Sequence, residues 1–306
     1  MYNNYDNTLD YKSQVANTIR KAQRKKGANE KVIAWLESQS EFKRADNIRG
    51  CATMLGFTNI DGVAHVVKAN FCRERVCNIC AWRRQAKFVA QMIPILDYLE
   101  KKGYKFLFTT LTIRNVSYEK LSDSIDLLLR SYDRMLHRKK IKRAWLGVAR
   151  SLEVTYNSDF DTFHPHIHLL IAVEKDYFSS ESLYITQSEL TQYWVESANL
   201  DYFPQCDIRV VKGYDDATME TFKYALKPSK KEKALKGFFY ALRGRRLISF
   251  SGVFAQARKL FNYSSFEEVL TDDLPIKKNN KYECILYKFD VTGGIYNFYD
   301  KLYFER

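Results

Sequence analysis

Residues 164–173 read HPHIHLLIAV, and the parity of this stretch decides how the chain is built. Successive side chains of a strand point to opposite faces, so His166 and His168 project together while Ile167, Leu169 and Ile171 cover the other face. Three of the chain's five histidines stand here, at His164, His166 and His168. Two imidazoles on one rigid face make half of a metal site, the alternative being a hydrogen-bonded pair on a half-exposed strand.

Upstream, WLGVARSLEVTYN (145–157) is a second strand, joined to the first by the turn-rich NSDFDTFHP (157–165), so the two form a β-hairpin. In it Ser151, Glu153 and Thr155 make a polar face, and Leu152, Val154 and Tyr156 an apolar one. Glu153 is the expected third ligand beside His166 and His168. His164 shares their parity and is the alternative, although Pro165 threatens the register there.

Working outward, FLFTTLTI (106–113) is a buried strand and LSDSIDLLLRSYDRMLH (121–137) an amphipathic helix. Thr186–Asn199 reads as helix, CDIRVVK (206–212) as strand, and Asp215–Lys227 as a short helix closed by Pro228. The order β-α-β-β-α-β-α predicts an α+β fold, a central five-stranded antiparallel sheet with helices packed on one face.

In the last of these helices Glu220, Tyr224 and Lys227 stand at i, i+4 and i+7 and share a face, with Met219, Phe222 and Leu226 on the apolar side. Taken alone this is a surface helix with solvated charges. Beside a metal-bearing face it acquires chemistry: a tyrosine hydroxyl can attack phosphorus, a divalent ion can polarise a phosphate, and a lysine can stabilise the charge that develops.

Cys72, Cys77 and Cys80 form C-x4-C-x2-C, a spacing that lets three thiolates converge on one ion. Cys51 is the expected fourth ligand of a structural Zn2+ and His65 the alternative; Cys206 and Cys284 read as core. The module runs into WRRQAKFVAQMIPILDYLE (82–100), a long amphipathic helix. Arg73, Arg75, Arg83 and Arg84 crowd it, either as a duplex-DNA contact or as solvated charge.

The chain has 306 residues, 46% of them hydrophobic, enough for an ordinary globular core. Its 49 Lys and Arg against 36 Asp and Glu give +13, which suits a nucleic-acid partner. Between Lys223 and Arg246 nine Lys and Arg, with Arg243, Arg245 and Arg246 at the end, face the single acid Glu232. No apolar run reaches the ~18 residues of a membrane span and no apolar leader opens the chain, so no membrane partner and a cytoplasmic location are expected.

These blocks together are specific. FCRERVCNICAWRR (71–84), FLFTTLTIRN (106–115), HPHIHLLIAV (164–173) and ETFKYALK (220–227), with GRRLISFSGVF (244–254) further on, resemble the rolling-circle replication initiators of small plasmids of Gram-positive bacteria, within the HUH endonuclease superfamily. Members commonly carry a proline where this sequence has Asn78, which alters the local turn but no ligand. The resemblance implies Mn2+ or Mg2+ on His166 and His168. It also implies Tyr224 as the nucleophile that nicks one strand, Lys227 as its companion, and Glu220 as activator of the water that releases the strand. Expected partners are origin DNA, single-stranded at the nick and duplex nearby, with Arg83, Arg84, Lys223, Arg243, Arg245 and Arg246 on its backbone, and a host helicase and polymerase. The divisions that follow are a basic helical lead-in (1–50), a zinc-binding module and helix (51–100), an RRM-like HUH endonuclease domain (101–245), and a C-terminal region without assigned role (246–306). A conjugative relaxase or single-strand transposase shares this chemistry, and a non-catalytic zinc-dependent DNA-binding regulator is the rival of another class.

Overall fold

A computed structural model describes residues 10–211, 231–261 and 281–305. They fall into two compact units, one within Met1–Ala90 and Ser264–Arg306, the other within Gln91–Tyr263.

The first unit opens with α1 (Tyr11–Ser38). Asp10 caps it by accepting from the Ser13 amide at 3.0 Å, and Val15, Ala22, Ile33 and Leu36 recur at helical spacing to give its buried face. Most of the helical lead-in expected over residues 1–50 is thus this one long helix. α2 (Phe42–Gly50), β1 (Met54–Ile60) and β2 (Val63–Ala69) follow. Asp61 and Gly62, at φ 51° and 82°, form the two-residue turn of the β1–β2 hairpin, the geometry an Asp-Gly pair favours. The Gln14 side chain donates to Gly62 O at 3.1 Å and accepts from the Ala64 amide at 3.0 Å, tying α1 to this hairpin. α3 (Asn78–Lys101) contains the boundary residue Ala90.

The second unit holds β3 (Lys105–Thr112), α4 (Tyr118–Leu136), α5 (Lys139–Ala144), β4 (Gly147–Asn157), β5 (Thr162–Val173), α6 (Gln187–Ala198), β6 (Asp207–Val210), α7 (Glu232–Ala241), β7 (Ile248–Phe250) and α8 (Gly252–Leu260). Its sheet is five-stranded and antiparallel in the order β6-β3-β5-β4-β7, so the histidine strand is central. The fifth strand, β7, comes from the LISF that closes the basic stretch.

One face of this sheet packs Leu107, Leu152, Ile167, Leu169 and Ile171 against Leu121, Ile125 and Leu128 of α4, Trp194 of α6 and Phe238 of α7. Burying each such side chain stabilises the fold by about 1.5–3 kcal/mol. α8 departs from the one-sided expectation. Gly252, at φ +54°, stands where a Cβ would lie 1.9 Å from Leu146 O, and this close approach brings Val253 against Gly147 of β4. The helix Asp215–Lys227 read from sequence lies outside the described residues.

The closing segments are β8 (Lys281–Asp290) and β9 (Ile295–Glu305), two strands that no clear local pattern announces. β8 pairs antiparallel with β1, so a four-stranded sheet β2-β1-β8-β9 joins the two ends of the chain within the first unit.

Candidate functional site

The β4–β5 ladder runs unbroken, with Ser151 opposite His168, Glu153 opposite His166 and Thr155 opposite His164. Pro165 does not break it. The proline falls one residue past the last β3 pair, Thr112 with His166, so its missing N–H deprives no β3 partner. The even-numbered histidines and the odd-numbered β4 residues therefore share the face opposite the apolar core.

On that face Glu153 Oε2 lies 3.2 Å from His168 Nε2 and 3.5 Å from His166 Nε2, with all three side chains buried. His166 Nδ1 is 3.1 Å from His164 O, and a carbonyl only accepts, so Nδ1 carries the proton and the Nε2 lone pair of the neutral ring faces the carboxylate. His168 Nδ1 bonds Thr110 Oγ1 at 3.0 Å. These outer bonds fix ring orientation, as they do for metal-ligating imidazoles. A lone pair and a carboxylate oxygen at this range repel unless a proton or a cation stands between them.

Burial raises the Glu153 carboxyl, yet with protons on the Nε2 atoms of His166 and His168 their hydrogen bonds and charge outweigh it and hold the group well below the ordinary carboxylate range. His164 is pushed down by burial and then by His166. Its ring stacks on His166 at 5.0 Å, but it is not one of the three converging groups. Ligands of an octahedral ion held at ~2.1 Å stand ~3.0 Å apart in cis, and those of a tetrahedral one only slightly further. The three residues fit a divalent cation, and their spacing does not select which.

In the first unit Cys51, Cys72, Cys77 and Cys80 bring their sulfurs within 4.8 Å of one another, with Cys51 and Cys72 each 3.6 Å from Cys80. Disulfides need ~2.05 Å, whereas thiolates ~2.3 Å from a tetrahedral zinc stand ~3.8 Å apart. Ala52 and Arg73, at φ 51° and 62°, turn the chain just after Cys51 and Cys72. Hydrogen bonding to Cys72 and then to Cys77 pushes the Cys51 thiol up, while the bond from Cys51 leads those holding Cys77 low. Four sulfurs packed in this way favour one thiolate and oppose a second until a cation is added. The donor set fits such a cation, and His65, on β2 opposite Thr58, is not among the group.

The expected DNA-facing cations divide. Arg83 is 5% exposed between the Phe71 and Trp82 rings, which removes it from the surface contact expected of it. Arg84 donates to the carbonyls of Arg73, Glu74 and Arg75 at 3.2–3.5 Å and closes the loop between Cys72 and Cys77. Arg245 forks onto Asp126 at 2.8 and 2.6 Å and bonds Ser122, so it latches the segment after α7 onto α4. Arg243 and Arg246 are exposed. Glu220, Lys223, Tyr224 and Lys227 lie outside the described residues. Cys206 and Cys284 are buried, apart from the sulfur cluster.

Sequence reading missed the supports of these sites. Arg209 of β6 lies 4.6 Å over the Phe108 ring, which stacks on His168 at 5.5 Å. Phe108, Thr110 and Thr112 share one parity of β3, and strand pairing shows that this is the histidine side.

A family model described as "Replication protein" (Rep_1) matches residues 63–296, more than half of the chain. The chain belongs to the Rep_1 family of replication proteins. The matched span takes in Cys72, Cys77, Cys80, Glu153, His166 and His168. This replication protein is 37% identical over 234 residues to the "Protein rep" of Streptococcus pneumoniae, covering 72% of this chain and 73% of that one. It is 34% identical to a "Protein rep" of a Bacillus species, covering 74% and 83%, and 33% identical to that of Bacillus amyloliquefaciens, covering 74% and 75%. The family is the rolling-circle initiator family that the sequence blocks resemble. No solved structure matches the chain. Among the described residues no helix is long and apolar enough to cross a membrane.

Proposed function

We propose that this replication protein initiates rolling-circle copying by nicking one strand of its origin and later rejoining or releasing it. The observation that carries the reading is the convergence of Glu153, His166 and His168 on the central strand of a replication-family chain. Glu153, His166 and His168 would hold Mn2+ or Mg2+, which when bound supplies polarisation of the scissile phosphate. Tyr224 attacks that phosphate: the Tyr224 oxygen–phosphorus bond forms, the bond to the 3′ oxygen breaks, and the 3′ oxygen takes up a proton. The result is a 5′-phosphotyrosine and a free 3′-hydroxyl that primes synthesis by a host polymerase behind a host helicase. Lys227 stabilises the charge that develops on the phosphate, and Glu220 takes the proton of the water that releases the strand. The Cys51, Cys72, Cys77 and Cys80 cluster would hold structural Zn2+, and Arg243, Arg246 and Lys223 would lie along the DNA backbone.

The test is incubation of labelled single-stranded origin DNA with Mn2+, followed by denaturing electrophoresis. Wild type should form a denaturant-resistant adduct and Tyr224→Phe should not, while both bind the strand. Cleavage by the Phe variant at the wild-type rate would refute the nucleophile. A non-catalytic zinc-dependent regulator would give no adduct with either protein.

A further inference from the structure

The family match begins at residue 63, so it does not touch α1, whose two faces differ sharply. At 3.6 residues per turn Arg20, Arg24, Gly27 and Lys31 fall within about 60° of one another around the axis, with Lys21 at the flank. All five are exposed. The buried residues Thr18, Ala22, Asn29, Ile33 and Leu36 lie roughly half a turn away.

Two observations make this outer face more than a solvated one. The first is its single sign: Arg20, Arg24 and Lys31, with Lys21 beside them, are exposed and among the described residues have no carboxylate partner, and the nearest acid of the helix, Glu30, stands about a quarter turn off this face. Solvated helix faces are ordinarily steadied by alternating charges four residues apart, whereas these like charges repel. The second is Gly27. An added Cβ there would meet nothing within 4 Å, and the backbone is not left-handed, so nothing inside the fold calls for a glycine that weakens the helix. A glycine flanked by the exposed Ala28 lets an outside surface approach the helix backbone between the cations.

We infer that the outer face of α1 is a binding surface for the sugar-phosphate backbone of duplex DNA, with Arg20, Arg24 and Lys31 on phosphates and Gly27 at the point of closest approach. The inference rests on the reading that this chain works on origin DNA, and it places the flanking duplex on the first unit. From Arg20 to Lys31 is about 16 Å at 1.5 Å per residue, alongside roughly nine of the duplex charges that recur every ~1.7 Å. Such an interaction reads no base edges.

The experiment titrates the full chain against a labelled origin duplex and a scrambled duplex of equal length across a salt series, and separately measures nicking of single-stranded origin DNA. The triple variant Arg20→Ala, Arg24→Ala, Lys31→Ala should lower the salt slope by about 2.7, near 0.9 for each phosphate no longer neutralised, equally on both duplexes. Its affinity at moderate salt should fall at least about tenfold. The triple Arg20→Lys, Arg24→Lys, Lys31→Arg should keep the slope, and Gly27→Gln should weaken both duplexes while single-strand nicking is retained. An unchanged slope in the alanine triple, or a loss confined to the origin duplex, overturns the proposal. Failure of the nicking reading would show instead as absence of adduct in the parent protein, leaving the salt slopes to decide this one.

Discussion

Asn29 Nδ2 donates to Cys77 Sγ over 3.4 Å, across 48 residues of sequence, while Asn29 Oδ1 accepts from the Asn78 amide at 2.8 Å. One helical turn earlier, Lys26 Nζ donates to Cys51 O at 2.9 Å and to Arg49 O at 3.1 Å. The buried face of α1 is thus bonded to the sulfur cluster whose chain segments it covers. Asn29→Ala should cost tenfold to a hundredfold in affinity for zinc, as outer-sphere partners of metal ligands do. Competition with a chromogenic chelator measures this, and wild-type retention of the metal would contradict it.

Removing a sulfur should act on folding itself. Protein purified without chelator should carry about one equivalent of zinc, and Cys77→Ser or Cys80→Ser should leave the first unit poorly folded, since binding a structural zinc is part of the folding free energy. Elemental analysis with circular dichroism decides the point. A cooperative transition at the wild-type temperature in both serine variants would show plain thiols with no structural ion.

Glu153→Gln preserves shape and removes charge. We expect nicking to fall at least about a hundredfold and Mn2+ affinity to fall with it, because two imidazoles alone fix too few ligands. His164→Ala should leave Mn2+ affinity within a few-fold, its ring being outside the convergent group. Equal losses in the two variants would overturn the ranking of Glu153 over His164, and a larger loss for His164→Ala would reverse it.

The Arg245–Asp126 latch supplies a pH test. Hydrogen bonding from Arg245 lowers the Asp126 carboxyl below its ordinary 3.8, so its contribution is fully present above that value and is lost as pH falls through the depressed one. Arg245→Ala should destabilise the protein by about 1 kcal/mol near neutrality, modestly because Asp126 is part-exposed. The difference in melting temperature from wild type should hold down to about pH 4 and close below it. A gap independent of pH would mean that the arginine acts through its packing alone.

Gly27→Ala should raise stability by about 0.5–1 kcal/mol, the ordinary gain for filling an exposed helix glycine. The matching Gly252→Ala should lose at least about 2 kcal/mol, since its φ of +54° and the carbonyl of Leu146 both forbid a Cβ. Thermal melts of the two variants moving in the same direction would contradict this account.

Much of the second unit was legible because its signals are local. FLFTTLTI marks the strand at Lys105–Thr112, and the alternation in LEVTYN and HPHIHLL places Glu153 and the histidines on one face once the short turn between them is read as a hairpin. The start of β5 at Thr162 was hidden by Pro165, which is tolerated only because β3 has already ended. In the first unit the Asp61-Gly62 turn was a hairpin signal that the cysteines overshadowed. The other partner of β1, β8, could not have been read at all. Met54 pairs with Lys288, and alternation within either segment says nothing about a partner more than two hundred residues away. The same holds for Asn29, an ordinary helix residue until Cys77 is brought to it.

That pairing bears on how the protein is made. A ribosome releases β1 and β2 early, yet the strand that covers the open side of β1 is translated more than two hundred residues later. Until then the nascent chain carries an uncovered strand edge, a surface that invites pairing with other chains. A premature stop codon between His168 and Lys281 would make that interval permanent, so such a truncation should yield insoluble product even though every residue of the Glu153, His166 and His168 cluster has been synthesised.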